Sequence, residues 1–385
     1  MEAINNKTQS NNQEQEFEGD DKSNLKGPFN PNDIDVDISV VNLGSLIEQL
    51  EYDEIDLTPE FQRSSDVWSK EQKSRLIESI LLGLPLPSFY FSEDPETNKL
   101  MIVDGLQRLC ALKDFWIEKK GSEKKLALEG LQFLTYLNGK IAEELDRTQI
   151  RRIKSLKVTL NTLRKNTPTD VKFVIFQRVN TAGVPLTPQE MRNALYQKKA
   201  TDLLRRMVSL DSFKQATGNR VSPKRMADCD FANRFLAFFL KREQYDGNLD
   251  TFLGKTLDDI NRMTSTEIEK LYDEFDRSMK VCYQLLGNNA FRRPDPDSNR
   301  TGAFLKTNKA IFDALSVSIA KLTSSEQANL IAKKSIFVSK MRSLYANEKF
   351  VQSVTIGTAK SPQVDCRFDE IEKLIISVLN DDNKN

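Results

Sequence analysis

The chain has 385 residues, 39% hydrophobic and 29% charged, which is enough to bury a large core and to form two domains and a tail. Its 56 basic and 56 acidic residues cancel, and it contains no histidine. Without an imidazole, Ser-His-Asp and Cys-His catalysis, HEXXH zinc sites and the HNH nuclease fold are all excluded from these residues.

The four cysteines (Cys110, Cys229, Cys282, Cys366) are widely spaced, with no Cys-x-x-Cys pair. That pattern fits reduced thiols in a cytoplasmic protein, not a disulfide framework or a zinc site. The apolar run Phe235–Leu240 falls far short of the about 20 residues a membrane helix needs. No signal-peptide pattern opens the chain, so the expectation is a cytoplasmic protein with no membrane partner.

Residues 1–37 hold nine acids against three lysines among many Asn and Gln, and predict a disordered acidic tail. A globular pattern starts at Ile38, with Ser39–Asn42 leading into a short helix over Leu43–Leu50. After Trp68, Ser69 and Gln72 form a capping-box pattern. Leu76, Ile77, Ile80 and Leu81 then repeat at helical spacing up to Gly83, where Pro85 and Pro87 prevent continuation. Two strands follow, Ser88–Ser92 and Leu100–Val103, and then a helix from Leu106 that buries Leu109, Leu112, Phe115 and Trp116.

Further on, the pattern predicts a helix over Ile141–Arg152, a strand over Leu156–Asn161, and a helix from Thr169 through Phe176. Thr187-Pro-Gln-Glu190 opens another helix that runs to about Gln197. Beyond Ser209 the chain reads as almost wholly helical. Phe-rich Asp230–Lys241, a long helix capped by Thr264, Phe304–Leu322, Glu326–Tyr345 and Phe368–Leu379 are its segments. The fold class is therefore α+β, with a tail over 1–37, a small mixed α/β domain over 38–200 and a mainly helical domain over 201–385.

Leu100-Met-Ile-Val-Asp-Gly-Leu-Gln-Arg-Leu109 carries the most chemistry. A strand runs through Asp104-Gly105 straight into a helix, whose first N–H groups and positive dipole end suit a phosphate. Gly105 permits a tight turn, while Gln107 and Arg108 add an amide and a guanidinium near solvent. A simpler reading has Arg63 or Arg108 pairing with Asp104 to close a buried turn. Leu106 either lines such a pocket or points into the core, and its place directly after the turn glycine favours the pocket.

Three motifs in order, Pro59-Glu-Phe-Gln-Arg63, Trp68 through Pro87, and Asp104-Gly-Leu-Gln-Arg108, resemble the N-terminal domain of GmrSD-type restriction endonucleases, a ParB/sulfiredoxin-like fold. A further segment, Ile175-Phe-Gln-Arg-Val-Asn180 followed by Gly183, is similar as well, so the resemblance spans roughly residues 40–200. It implies a nucleoside triphosphate held by Gln62, Arg63 and Gly105, completed by Arg178 and Asn180. Asp104, Gln107 and Arg108 would be catalytic, with Mg²⁺ on Asp104. Leu106 stands where the family usually has Gln. The family's cleaving module is typically HNH-like, which these histidine-free residues cannot be. The resemblance thus implies a DNA-directed restriction or antiphage component working with a separate nuclease subunit. A ParB-like DNA-binding protein or nuclease, and a catalytically silent interaction subunit, are the alternatives.

From Arg147 to Arg225 there are 18 Lys or Arg against four acids (Asp170, Glu190, Asp202, Asp211). An imbalance sustained over a whole segment points to an anionic partner, and Arg151, Arg152, Arg220, Lys224 and Arg225 are its candidate nucleic-acid contacts. Loops Gly218–Arg225 and Phe291–Arg300 read as flexible and basic. Tyr90 and Phe91 alternate across a strand, so one is expected in the core and the other free to stack on a base. The Phe231, Phe235, Phe238 and Phe239 cluster reads as core.

Overall fold

The computed structural model describes residues 34–57, 68–94, 97, 99–117, 125–179, 186–295 and 303–381. Five strands, β1 (Val36–Asn42), β2 (Ile55–Asp56), β3 (Phe89–Glu93), β4 (Leu100–Asp104) and β5 (Lys157–Leu163), form one mixed sheet in the order β1-β5-β3-β4-β2. β1 runs antiparallel to β5 in unbroken register from Val36 opposite Leu163 to Asn42 opposite Lys157. β3 pairs parallel to β5 and antiparallel to β4, and β2 pairs parallel to β4. The first strand begins at Val36, so the last two residues of the expected tail belong to the sheet; residues 1–33 lie outside the described residues.

Helices α1 (Leu43–Glu51), α2 (Lys70–Leu81), α3 (Leu106–Trp116) and α4 (Arg147–Ser155) cover one face of the sheet. Their core joins Leu46, Ile77, Leu109, Leu112, Phe115 and Ile153 to the inward strand residues Phe89, Phe91, Val158 and Leu160. α5 (Thr169–Val179) and α6 (Pro188–Leu195) cover the other face through Phe173, Phe176 and Met191, packed on Val103 and Leu163.

The signals that start and stop α2 act as its sequence implies. Ser69 Oγ accepts from the Gln72 amide (3.2 Å) and Gln72 Oε1 from the Ser69 amide (2.9 Å). At the far end Gly83 takes φ 78°, letting the Gly83 and Leu84 amides bond back to Ile80 and Ser79. Two charges on α2 are buried, and both are matched. Glu78 accepts the amides of Gln132, Phe133 and Leu134 (3.1, 2.7 and 2.8 Å), and Lys73 pairs with Asp114 at 2.7 Å. They pin the 125–140 segment and α3 to α2.

From α7 (Lys199–Ser209) onward the chain is helical: α8 (Asp211–Ala216), α9 (Ala227–Lys241), α10 (Leu249–Arg262), α11 (Ser265–Leu286), α12 (Lys309–Ala320), α13 (Ser324–Ala332), α14 (Lys334–Leu344), α15 (Glu348–Ser353) and α16 (Ser361–Leu379). A second large core binds them, with Phe312 edge-on to Phe231 and Phe291 at 5.0 and 4.8 Å. Phe235 and Phe238 are fully buried and Phe239 half-buried, as their spacing predicts.

Several boundaries differ from the pattern. The expected 141–152 helix is a 3₁₀ turn followed by α4, because Asp146 caps α4 in a box with Gln149. The expected 304–322 helix begins only at Lys309, where Asn308 caps it, while Phe304 bridges to Pro294. The 326–345 segment breaks at Lys333, whose ammonium donates to the Leu379 carbonyl. Among the described residues no helix is long and apolar enough to cross a membrane.

Candidate functional site

β4 delivers Asp104 directly to Gly105, the N-cap of α3, whose φ is 104°. A Cβ there would lie 2.5 Å from Phe89 Cδ1, so only glycine fits both the backbone and the space. The approach brings Asp104 and Arg108 together. Arg108 Nη2 donates to Asp104 Oδ2 (3.0 Å) and to the Ser88 carbonyl (3.1 Å), and Nη1 donates to the Pro87 carbonyl. Its guanidinium sits 4.5 Å above the Phe89 ring.

Arg108 is thus only 8% exposed, against the expectation of a solvent-side residue. The reason lies in Leu84–Ser88, where the proline-rich exit of α2 leaves carbonyls without strand partners and a donor fork must reach them. The arrangement is the buried turn closed by an ion pair. Burial lifts the Asp104 carboxyl above its usual range despite the arginine beside it. Burial likewise lowers Arg108, which remains a cation.

Gln107 is half-buried on the same turn, and its Oε1 is buried without a hydrogen-bond partner. Leu106 packs half-buried against the first core, so the pocket-lining expectation for it does not hold. Tyr90 pairs with Asn161 on one side and, across a register shift between Tyr90 and Phe91, with Asp104 on the other, and it packs against the cluster of Val103 and Leu163. Phe91 points the opposite way and is fully buried in the first core, while Tyr90 is half-buried, the alternation the sequence predicts.

Arg178 is exposed near the end of α5. Beside it, Gln177 Nε2 donates to Asp250 of the helical part (3.3 Å). Gln62, Arg63, Asn180 and Gly183 lie outside the described residues. Asp104 is the only sequence-nominated metal ligand, and among the described residues no group of three His, Cys, Asp or Glu converges to hold an ion. A lone carboxylate still suits Mg²⁺, which commonly takes one or two carboxylates and draws the rest of its shell from phosphates and water.

The basic segment does not form one surface. Arg151 and Arg152 are exposed on α4, which packs on the first-core side, whereas Arg178 belongs to α5 on the opposite face. Arg220 is exposed but donates to the Asn288 carbonyl (2.9 Å), and Lys224 is exposed nearby. Arg225 is half-buried against Glu190 (2.9 Å), which also closes the α6 capping box. The second basic loop is anchored by fully buried Phe291 and by Arg292 bonding to the Leu305 and Phe304 carbonyls.

Acids from outside the segment pair with three of its arginines. Arg164 meets Asp37 and Glu93, Arg206 meets Glu269, and Arg192 meets Asp230 and Asp250. The Arg192 cluster was missed in the sequence, because its members are scattered over α6, α9, α10 and α12. Arg192 pairs with Asp230 (2.9 Å) and Asp250 (2.6 Å), and Lys309 joins Asp230 at 2.9 Å. Next to it, Asp313 takes Arg234 (2.6 Å) and Arg367 (3.0 Å), all fully buried. Lys309 and Arg192 hold Asp230 well below the ordinary carboxylate range, against the upward push of its burial. No motif marks such a cluster.

A comparison with curated proteins and one with solved structures gave no match. Residues 43–197 do match a known family, that of the GmrSD restriction endonuclease, N-terminal domain.

Proposed function

Residues 43–197 belong to the GmrSD restriction endonuclease N-terminal domain family, and from that premise we propose that the chain is the nucleoside-triphosphate-binding component of a modification-dependent restriction system, acting on DNA with a separate nuclease. The family match itself indicates a restriction or antiphage component. We further propose a ParB-like sheet domain over 38–200, a distinct helical domain over 201–385 and a cytoplasmic location.

One observation carries the nucleotide assignment. Gln107 Oε1 is buried and unpartnered beside the first turn of a helix entered through a left-handed glycine. An unsatisfied buried amide costs about 1–3 kcal/mol, and a ligand that pairs with it returns that stability on binding. The amide can turn either its N–H₂ toward a phosphate oxygen or its oxygen toward a ribose hydroxyl or base amine. The α3 N-terminus adds N–H donors and a positive dipole end. Tyr90, half-buried and paired with Asp104 across a register shift, offers a ring for a base.

Roles divide accordingly. Gln107 contacts the nucleotide, and Asp104 would hold Mg²⁺, which when bound neutralises phosphate charge. Arg108, committed to Pro87, Ser88 and Asp104, is a positioning residue that fixes the turn. Gln62, Arg63, Arg178 and Asn180 are proposed to complete the phosphate site. Any hydrolysis would proceed by positioning and charge stabilisation, without an imidazole.

The silent interaction subunit is the second reading, favoured by Leu106 turning to the core and by the closed Asp104–Arg108 pair. Calorimetry with each triphosphate and Mg²⁺, followed by phosphate release with and without DNA, tests both. Binding with turnover supports an NTPase, and binding alone supports a nucleotide-sensing subunit. No binding to any triphosphate overturns the proposal.

A further inference from the structure

β1 is the edge strand of the sheet, and among the described residues nothing pairs with its outer side. The Leu43 amide donates to the Leu156 carbonyl (2.8 Å) and the Arg164 amide to the Asp35 carbonyl (2.9 Å). Odd-numbered residues therefore direct their backbone groups at β5, and Val36, Ile38 and Val40 turn theirs outward. The side chains of those three share one face and are 37%, 68% and 64% exposed.

Sheet edges are normally blunted by proline, lysine, a bulge or shortness. β1 has none of these: it is seven residues long, reads Val-Asp-Ile-Ser-Val-Val-Asn, and keeps unbroken register with β5. The opposite edge, β2, is only two residues. We propose that β1 is a self-association surface that pairs antiparallel with β1 of a second copy of this chain, about a two-fold axis at Ile38.

The register follows from the residues. Centred on Ile38, each outward-turned position meets another: Ile38 faces Ile38, and Val36 faces Val40 in both directions. Asp37 falls opposite Ser39 and Asp35 opposite Val41, so no like charges meet. Centring on Asp37 would set two carboxylates directly across from each other, which is destabilising. Centring on Ser39 would face Val36 with Asn42 and lose an apolar pair. In residues 1–33 the large apolar residues Ile4, Phe17, Leu25 and Phe29 are widely spaced and Pro28 lacks an N–H, so their sequence carries no alternation like that of β1.

The test uses the full chain. Light scattering coupled to gel filtration should give a dimer mass that falls to the monomer in Ile38→Lys, with the far-ultraviolet circular dichroism of the folded chain kept because the side chain is 68% exposed. In a Cys110→Ser/Cys366→Ser background, Ile38→Cys should cross-link to a covalent dimer on oxidation, because directly paired Cα atoms lie about 5.5 Å apart, within disulfide reach. Val36→Cys alone should not, since its copy lies four residues along the strand, roughly 13 Å away. A wild-type monomer at every concentration, a dimer untouched by Ile38→Lys, or equal cross-linking of both cysteine variants would each overturn the proposal.

Discussion

Asp104, Leu106, Gln107 and Arg108 are consecutive or nearly so, yet each faces a different environment. Removing Arg108 leaves the part-buried Asp104 carboxylate and the Pro87 and Ser88 carbonyls without their donor. Arg108→Ala is therefore expected to destabilise the fold by about 3 kcal/mol, the range for breaking one side of a buried pair. Gln107→Ala deletes an unpartnered atom, so its stability should match or slightly exceed wild type in urea denaturation. Leu106→Gln puts an amide against the first core and should cost roughly 1–3 kcal/mol, with no gain in phosphate release. The thiols follow the same logic of burial. Cys229 and Cys282 are pushed up to about 12, so iodoacetamide at neutral pH should label only Cys110 and Cys366 in the native protein, as peptide mass spectrometry can show.

At the scale of elements, what could be read in the sequence was what local chemistry dictates. The capping boxes at Ser69, Thr187 and Thr264, the Gly83 stop and the Leu100 strand are all where the pattern puts them. β1 was read only as a lead-in, since its Val-Asp-Ile-Ser-Val alternation serves an exposed edge and not a buried face. The break at Lys333 carries no proline or glycine to announce it. The Arg192–Asp230–Lys309 cluster, which ties α6 to α9 and α12, was invisible because pairing across helices has no sequence period. Its pH signature is specific. The folded Asp230 titrates well below the unfolded value of about 3.9, so its stabilisation is complete above that pH and is lost as pH falls through the folded value. Denaturation of wild type and Asp230→Asn should differ most at neutral pH, with the gap closing as the pH drops below about 4. A gap constant with pH would show that Asp230 is not held low.

For the molecule as a whole, the sequence suggested a basic segment seeking an anion, and folding pairs three of its arginines with acids from elsewhere. Asp37, Glu93, Asp230, Asp250 and Glu269 reach in from outside the segment to pair with its arginines. If the protein grips DNA through what remains exposed, notably Arg151 and Arg152, the affinity should fall with salt at a slope of about 0.9 per phosphate contact, matching a handful of contacts and not eighteen. The five-stranded sheet followed by helices, and the family match over residues 43–197, agree with the sequence reading. The residues left open whether Arg108 pairs with Asp104 to close the turn or faces a ligand, and the fold takes the first, leaving Gln107 as the open polar group. A calorimetric titration of the full chain with triphosphates and Mg²⁺, repeated on Gln107→Ala, tests that directly. Binding should be saturable and should weaken by roughly tenfold or more in a variant of unchanged stability, the loss of one charge-assisted hydrogen bond. Equal affinity in the two proteins, or no binding in either, would contradict it.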